Sequence, residues 1–380
     1  MSDILYLDNA AATPVDERVL AAMMPFYQTN YFNPSATYLA AKNVATKLHE
    51  ARATVAHWLG VRPAEVIFTA GGTEANNLAI QGIMRQFPTG NIVVSAIEHD
   101  SVLEAARQYD CREVAVLANG MVDLSVLEAA IDDNTVLVSI MYANNEIGTI
   151  EPLKDVAEII ARKKSERTKT SLPLYFHTDA CQAANYLDLH VSRLGVDMLT
   201  INGGKIYGPK QSGALYVGAQ VQLQPIIFGG GQERNLRSGT ENIAQAVGLA
   251  TALDIAQTMR HEEGKRLAGL QAAAFKLIAE KLPSVIVNGS LKKRLPNNLH
   301  MTFPGQDNER LLMELDERGI LAAAGSACSA SSEEPSHVLK ACGLSDAEAQ
   351  SSLRITFGRS TTEDDIQNLI IVLLELQPKS

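Results

Sequence analysis

The sequence predicts an α/β protein whose central sheet is mainly parallel and covered by helices on both faces. From Glu65 the chain repeats a rhythm of short apolar run, glycine turn and helical segment, with runs at 66–68, 92–94, 114–116, 136–140, 174–176 and 198–201. Short apolar strands alternating with helices give that architecture, because a strand under two helix layers is apolar on both faces. The second observation is where the polar residues fall. They sit directly behind the runs, at the carboxyl ends of the strands, where open α/β sheets take their ligands.

Taken in order, residues 4–7 are a short strand candidate leading into Asp8-Asn9-Ala10-Ala11-Ala12-Thr13-Pro14. Pro14 with Asp16 and Glu17 marks a helix start, and apolar positions recur at helical spacing as far as Phe26. A loop at 31–35, which includes Asn33, precedes a long helical pattern ending near Leu59. Behind the run 66–68, Ala70-Gly71-Gly72-Thr73-Glu74-Ala75-Asn76 opens a helix. Glycines let the backbone approach an anion, the helix N–H groups favour it, and Thr73 adds a hydroxyl, so this stretch suits a phosphate. It equally suits a plain N-capped helix after a turn.

Later runs are followed by Glu98-His99-Asp100, by Tyr142 to Gly148 with Asn145 inside, and by His177-Thr178-Asp179-Ala180-Cys181-Gln182. Singly, His99 suits a helix cap, Asp179 a buried turn cap, and Asn145 and Gln182 ordinary loop hydrogen bonding. Four such residues at strand ends of one sheet point instead to a site. The apolar run 198–201 then breaks at Asn202-Gly203-Gly204, which puts Lys205 on a glycine-flanked turn. A lysine held near the interior is desolvated, which lowers its pKa and leaves an amine able to form a Schiff base. A solvated lysine on a surface turn is the alternative.

Beyond residues 213–217 comes a glycine-rich, cationic loop, 228–240, ending in Arg237-Ser238-Gly239-Thr240, and then an alanine-rich helical region to about 282. The last third reads as strands at 285–287 and 298–303, a helix at 308–318, a strand at 353–357 and a helix at 362–376. In the segment 322–332, ten of eleven residues are Gly, Ala or Ser, and the other is Cys328. A thiol in a loop of small residues is expected to move and suits a nucleophile; an incidental cysteine in a tight turn is the alternative.

With 380 residues, 46% of them hydrophobic and 20% charged, the chain has room for a sizeable core and about two to three domains. A net charge of -10 and a pI near 5.4 argue against direct nucleic-acid or anionic-membrane binding. No apolar run approaches a bilayer span and the start lacks the blocks of a signal peptide, so the expected location is cytoplasmic. The four cysteines, Cys111, Cys181, Cys328 and Cys342, are widely spaced, which fits neither a disulfide framework nor a zinc knuckle.

Thr73, His99, Asn145, Asp179, Gln182, Lys205, Thr240, Cys328 and Arg354 together make the chain closely resemble the cysteine desulfurases. These belong to the class V aminotransferase branch of the fold-type I pyridoxal-phosphate (PLP) enzymes. The set Gly-Gly-Thr-Glu-Ala-Asn-Asn at 71–77, Asn-Asn-Glu-Ile-Gly at 144–148, Lys-Ile-Tyr-Gly-Pro-Lys at 205–210, Arg-Ser-Gly-Thr at 237–240 and Gly-Ser-Ala-Cys at 325–328 carries the resemblance across nearly the whole chain. It implies a seven-stranded, mainly parallel sheet in a large PLP-binding domain, 15–254, and a smaller α+β domain from 1–14 and 255–380.

The resemblance also implies roles. Lys205 would hold PLP, Asp179 its ring nitrogen, and Gly72, Thr73 and Asn202 its phosphate. His99 would stack on the ring and act as acid or base, with Asn145 and Gln182 on the substrate side and the ring hydroxyl. Arg354 would hold the carboxylate of L-cysteine, with Asn33 also on the substrate. Cys328 would take the sulfur as a persulfide, and Thr240 would reach the phosphate of a neighbouring subunit in a homodimer.

The loop resembles the subgroup that delivers sulfur to iron–sulfur scaffolds and tRNA-thiolation relays, so a sulfur-acceptor protein is the expected partner. No intrinsic metal is expected, although Cys328 could share an iron–sulfur cluster with a scaffold. The chain stops at Ser380 directly behind its last predicted helix, where many members of that subgroup carry a docking tail. One departure stands out: the family commonly has histidine before the lysine and serine two further back, whereas here those positions are Gly204 and Asn202. Alternatives are a selenocysteine lyase or aminotransferase of the same fold, or a non-catalytic partner-binding scaffold. Cys328→Ala separates desulfurase from aminotransferase, and visible absorbance separates enzyme from scaffold.

Overall fold

The computed structural model describes residues 4–168, 171–325 and 334–377. A two-residue strand, β1 (Leu5–Tyr6), opens the chain. Seven strands then build the central sheet: β2 (Val66–Thr69), β3 (Asn91–Ser95), β4 (Asp110–Val114), β5 (Thr135–Ser139), β6 (Tyr175–Asp179), β7 (Met198–Asn202) and β8 (Gly213–Val217). Their order is β2-β8-β7-β6-β5-β3-β4, and only β8 runs against its neighbours. Every residue of β2, β3, β5 and β8 is buried, as a sheet covered on both faces requires.

The last third adds β9 (Ile286–Val287), β10 (Asn298–Thr302), β11 (Ile320–Leu321) and β12 (Ser352–Thr356). Strands β9, β10 and β12 form a three-stranded antiparallel sheet, while β11 pairs in parallel with β1. The N-terminal strand is thereby tied to residues more than 300 positions away, and Leu7 packs with Phe303, Phe357 and Leu369 rather than with the central sheet.

One helix, Ile243–Lys281, belongs to both cores. Ile243, Leu249 and Leu253 pack under the central sheet, and Leu267, Leu270 and Ile278 pack against the smaller one. Among the described residues no helix is long and apolar enough to cross a membrane.

The structure shifts one expected strand. The apolar run at 114–116 is not itself β4, which covers Asp110–Val114 and carries Asp110, Arg112 and Glu113 at the sheet edge. Charged residues on an edge strand block pairing with other chains, and they also hide the strand from an apolar count. The helix expected from about Ser35 begins at Leu39 and the one expected from Val15 splits into Glu17–Met23 and Pro25–Gln28.

Candidate active site

The carboxyl ends of β2, β6 and β7, with the loops behind β3 and β5, enclose a pocket of about 200 Å³. Lys205 ends a single 3₁₀ turn, Gly203–Lys205, directly after β7. Three hydrogen bonds pin that turn: Gly204 N–H to Asn202 Oδ1 (3.0 Å), Thr13 N–H to the Gly204 carbonyl (3.1 Å), and Asn185 Nδ2 to the Lys205 carbonyl (2.7 Å). The Lys205 amine donates to the carbonyls of Ala10 (2.8 Å) and Ala11 (2.7 Å), which also line the pocket. Gln182 Nε2 donates to the same Ala10 carbonyl at 3.0 Å.

Asp179 ends β6 and is 7% exposed. Its Oδ1 accepts from the Cys181 N–H at 2.9 Å and its Oδ2 from Asn76 Nδ2 at 2.6 Å. Asn76 Nδ2 also meets Ser101 Oγ (2.9 Å), and Ser101 Oγ meets His99 Nδ1 (2.9 Å). A continuous polar chain therefore runs from His99 to Asp179. Because His99 Nδ1 accepts the Ser101 backbone N–H (3.1 Å), the ring proton of the neutral imidazole lies on Nε2, the atom left to exchange it.

Two neighbours are electrostatically quiet. Burial lowers the His177 pKa to about 4, so the ring is neutral between Ser139 and Thr200. Burial, and then the Asp179 charge, raise the Cys181 pKa well above the ordinary thiol value, so that pocket sulfur stays a thiol.

At the phosphate-suited end, the helix Gly72–Met84 starts behind β2 at Gly71, whose φ of 130° lies in the left-handed half of the map. A Cβ on Gly72 would sit 2.8 Å from Cys181 Sγ and 3.4 Å from Asn202 Nδ2, so the helix start must be bare there. Thr73 and Asn202 line the same end.

On the opposite wall, Arg354 from β12 is 1% exposed. Its Nη2 donates to Asp8 Oδ1 at 2.7 Å and its Nη1 to the Asn145 carbonyl at 3.2 Å. The segment that leads toward residue 326 is joined to this arginine through an antiparallel bridge, Arg354 N–H to Ala323 O (2.6 Å) and Ala323 N–H to Arg354 O (3.2 Å).

The pocket thus gathers nine of the residues singled out in the sequence: Gly72, Thr73, His99, Asn145, Asp179, Gln182, Asn202, Lys205 and Arg354. Asn33 and Thr240 are elsewhere, together on a separate surface depression near Phe32. Thr240 also borders a cavity of about 290 Å³ with Arg237 and Glu233; no lysine, histidine or cysteine lines that cavity. Cys328 lies outside the described residues.

Sequence reasoning missed Asn76, Ser101 and Asp8. Asn76 and Ser101 lie on otherwise apolar, buried helix faces, where a polar residue among Ala75, Leu78 and Ala79 or beside Val102 was the available signal. Nothing local marked Asp8 as the partner of a residue 346 positions away.

Comparison with known proteins places these features in context. The family described as Aminotransferase class-V matches residues 5–369. A cysteine desulfurase IscS of Dictyoglomus turgidum is 39% identical over 376 residues, covering 97% of this chain and 93% of the relative. A solved structure described as a NifS-like protein superposes with a TM-score of 0.90 at 33% identity, covering 98% of this chain and 99% of the other. Another, described as SspA in complex with cysteine, gives 0.81 at 35% identity over 93% and 98% of the two chains.

Proposed function

The chain belongs to the class-V aminotransferases and is a pyridoxal-phosphate-dependent cysteine desulfurase, and from that premise we propose which of its residues do the work. The pocket fits the cofactor on three counts. It offers a primary amine from a pinned turn, a buried carboxylate at the end of β6, and a helix start too tight for a side chain. Asn76 Oδ1 is buried with no partner among the described residues, a polar atom waiting for a donor.

Lys205 would hold the cofactor, Asp179 would pair with its ring nitrogen, and Gly72, Thr73 and Asn202 would take its phosphate. When bound, the cofactor supplies a sink for the electrons released as the substrate Cα loses its proton. Everything else falls to side chains. Arg354 holds the substrate carboxylate in its fork, and Asn145, whose carbonyl aims that fork, lies on the same side. The Lys205 amine carries the Cα proton, steadied by the Ala10 and Ala11 carbonyls. His99 exchanges protons through Nε2, and Gln182 keeps Ala10 in place.

The Cys328 thiolate attacks the substrate sulfur, the carbon–sulfur bond breaks, and alanine leaves with the proton that Cys328 gave up. One sulfur atom moves, so L-cysteine and a thiol become L-alanine and a persulfide. Cys328 then hands that sulfur to an acceptor protein of iron–sulfur assembly or tRNA thiolation in the cytoplasm. Thr240 and Asn33, which share one surface outside this pocket, serve the pocket of a second copy in a homodimer.

The observation that carries this reading is the convergence of Lys205, Asp179 and Arg354 on one pocket. Its test is incubation with L-cysteine followed by mass spectrometry of the peptide that holds Cys328. One added sulfur atom and an equal amount of alanine are expected. A protein that stays colourless with PLP and releases no alanine overturns it.

The glycine before the lysine gives a further expectation. A Cβ on Gly204 would meet nothing closer than Asn202 Oδ1 at 3.5 Å and Lys210 at 3.8 Å, which is ordinary contact. The position therefore accepts a Cβ, and Gly204→His is expected to add a donor near the phosphate. One charge-assisted hydrogen bond is worth about 1–2 kcal/mol, so PLP should bind roughly 5- to 30-fold tighter by absorbance titration of apoprotein. Unchanged affinity would show that Asn202 and the bare backbone already saturate the phosphate.

A further inference from the structure

Arg354 is buried and held by few acceptors. Asp8 is the only carboxylate within ion-pair distance of it among the described residues, at 2.7 Å, and the Asn145 carbonyl is a longer contact at 3.2 Å. Its Nε has no partner among the described residues. The residue directly opposite on β10 is His300, 0% exposed, with its side chain on the same face of the sheet.

A chain of hydrogen bonds shows that His300 brings a donor, not an acceptor. Ser352 Oγ donates to the Glu348 carbonyl (2.8 Å), so it accepts from Thr302 Oγ1 (2.7 Å). Thr302 Oγ1 accepts from Asn288 Nδ2 (2.7 Å), whose other hydrogen goes to His300 Nδ1 (3.0 Å). The remaining proton of a neutral imidazole is then on Nε2, which also lacks a partner among the described residues. The imidazole opposite Arg354 therefore presents an N–H and offers the guanidinium no acceptor. Its counter-charge therefore comes from Asp8, which also makes the shorter of the two bonds that aim the fork, the longer being to the Asn145 carbonyl.

We propose that Asp8 is a positioning and specificity-determining residue for the substrate: its carboxylate aims the Arg354 fork and, by sharing the guanidinium, limits how tightly Arg354 binds an amino-acid carboxylate. This rests on the reading of Arg354 as the carboxylate-binding residue. The two contributions have opposite signs. Asp8→Asn keeps an oxygen for Nη2 but removes the competing charge, so the carboxylate binds more tightly. Asp8→Ala removes both, and the fork loses its aim.

The experiment measures KM and kcat for L-cysteine, and the dissociation constant of L-alanine from its effect on cofactor absorbance, in the PLP-loaded enzyme. Asp8→Asn is expected to lower KM and the alanine constant about 3- to 10-fold, and Asp8→Ala to raise both about 10-fold, with kcat within about twofold in each. Arg354→Gln separates the two layers. If it leaves alanine binding unchanged, the Arg354 reading is wrong and the Asp8 proposal goes with it. If Arg354→Gln weakens binding but Asp8→Asn does not tighten it, only the Asp8 proposal is overturned.

A buried arginine stripped of its counter-ion could prevent Asp8→Asn from folding, so the cycle is closed with the double variant, which buries no unpaired charge. Asp8→Asn in the Arg354→Gln background is expected to leave alanine binding unchanged. A shift of more than about twofold there means Asp8 does not act through Arg354, and overturns the proposal.

Discussion

Lys205→Ala is expected to lower alanine formation from L-cysteine by about 10⁴-fold or more while leaving the fold intact, because in the proposed mechanism it removes both the covalent anchor and the group that moves the Cα proton. No second amine stands by to replace it: among the described pocket residues the other strongly basic side chain is Arg354, which is a guanidinium tied to Asp8. His99 cannot substitute as the anchor, since an imidazole has no primary amine with which to form a Schiff base. The turn itself should survive, because it is fixed through the backbone of Gly204 and the carbonyl of Lys205, which alanine retains, although the two bonds from the amine to the Ala10 and Ala11 carbonyls are lost.

Circular dichroism and a visible absorbance scan check the fold and the lost cofactor band, and an alanine assay reads the rate. Cys328→Ala is the informative contrast, because it should lose sulfur transfer yet still exchange the Cα proton of cysteine with deuterated solvent. If Lys205→Ala kept more than about 1% of the wild-type rate, the proton carrier would have to be another group.

Most of the sheet and most of the pocket were legible in the sequence for one reason. Strands buried on both faces are written as apolar runs, and the polar residues that end them are forced to the rim where ligands bind. Asp179, Lys205 and His99 were visible because each stands immediately behind a run. Strand β4 was misread because this edge is guarded by charged residues, which an apolar count passes over. Strand β11 is two residues long and exists only because β1 pairs with it, so no local pattern could announce it.

Asn76, Ser101 and Asp8 fall into a third class. Their partners lie 103, 25 and 346 positions away, and only the folded backbone brings such groups within hydrogen-bond reach. Asn33 and Thr240 show the converse. The family resemblance puts Asn33 on the substrate and Thr240 on a neighbouring subunit's phosphate, and within one chain both lie on a surface outside the Lys205 pocket, where the proposed dimer would use them.

The stability of the protein should fall as pH rises from about 5 to about 8, and Glu151→Gln should abolish a large part of that fall. Glu151 is 3% exposed; its Oε2 accepts the Val122 N–H at 2.8 Å, and its Oε1 has no partner among the described residues. Burial raises its pKa from 4.5 to about 8, with the Val122 hydrogen bond opposing the shift. The folded state thus holds a proton that the unfolded chain releases above 4.5. Below that value both states are protonated and nothing is lost. Between 4.5 and about 8 folding must take up the proton, at about 1.4 kcal/mol per pH unit, and above about 8 the loss levels off.

The full window is worth about 5 kcal/mol at most, and relaxation around a buried carboxylate brings the expected figure to about 2–4 kcal/mol. Glutamine mimics the protonated acid at every pH, so the variant should match wild type near pH 5 and exceed it by that amount near pH 8.5 in urea unfolding followed by circular dichroism. Glu98, fully buried, with Oε2 unpartnered and its pKa also driven well up by burial, keeps its own share of the slope in both proteins. Parallel pH profiles for Glu151→Gln and wild type would mean that the Glu151 carboxylate is ionised and solvated in the folded protein, and the assignment of the slope to it would fail.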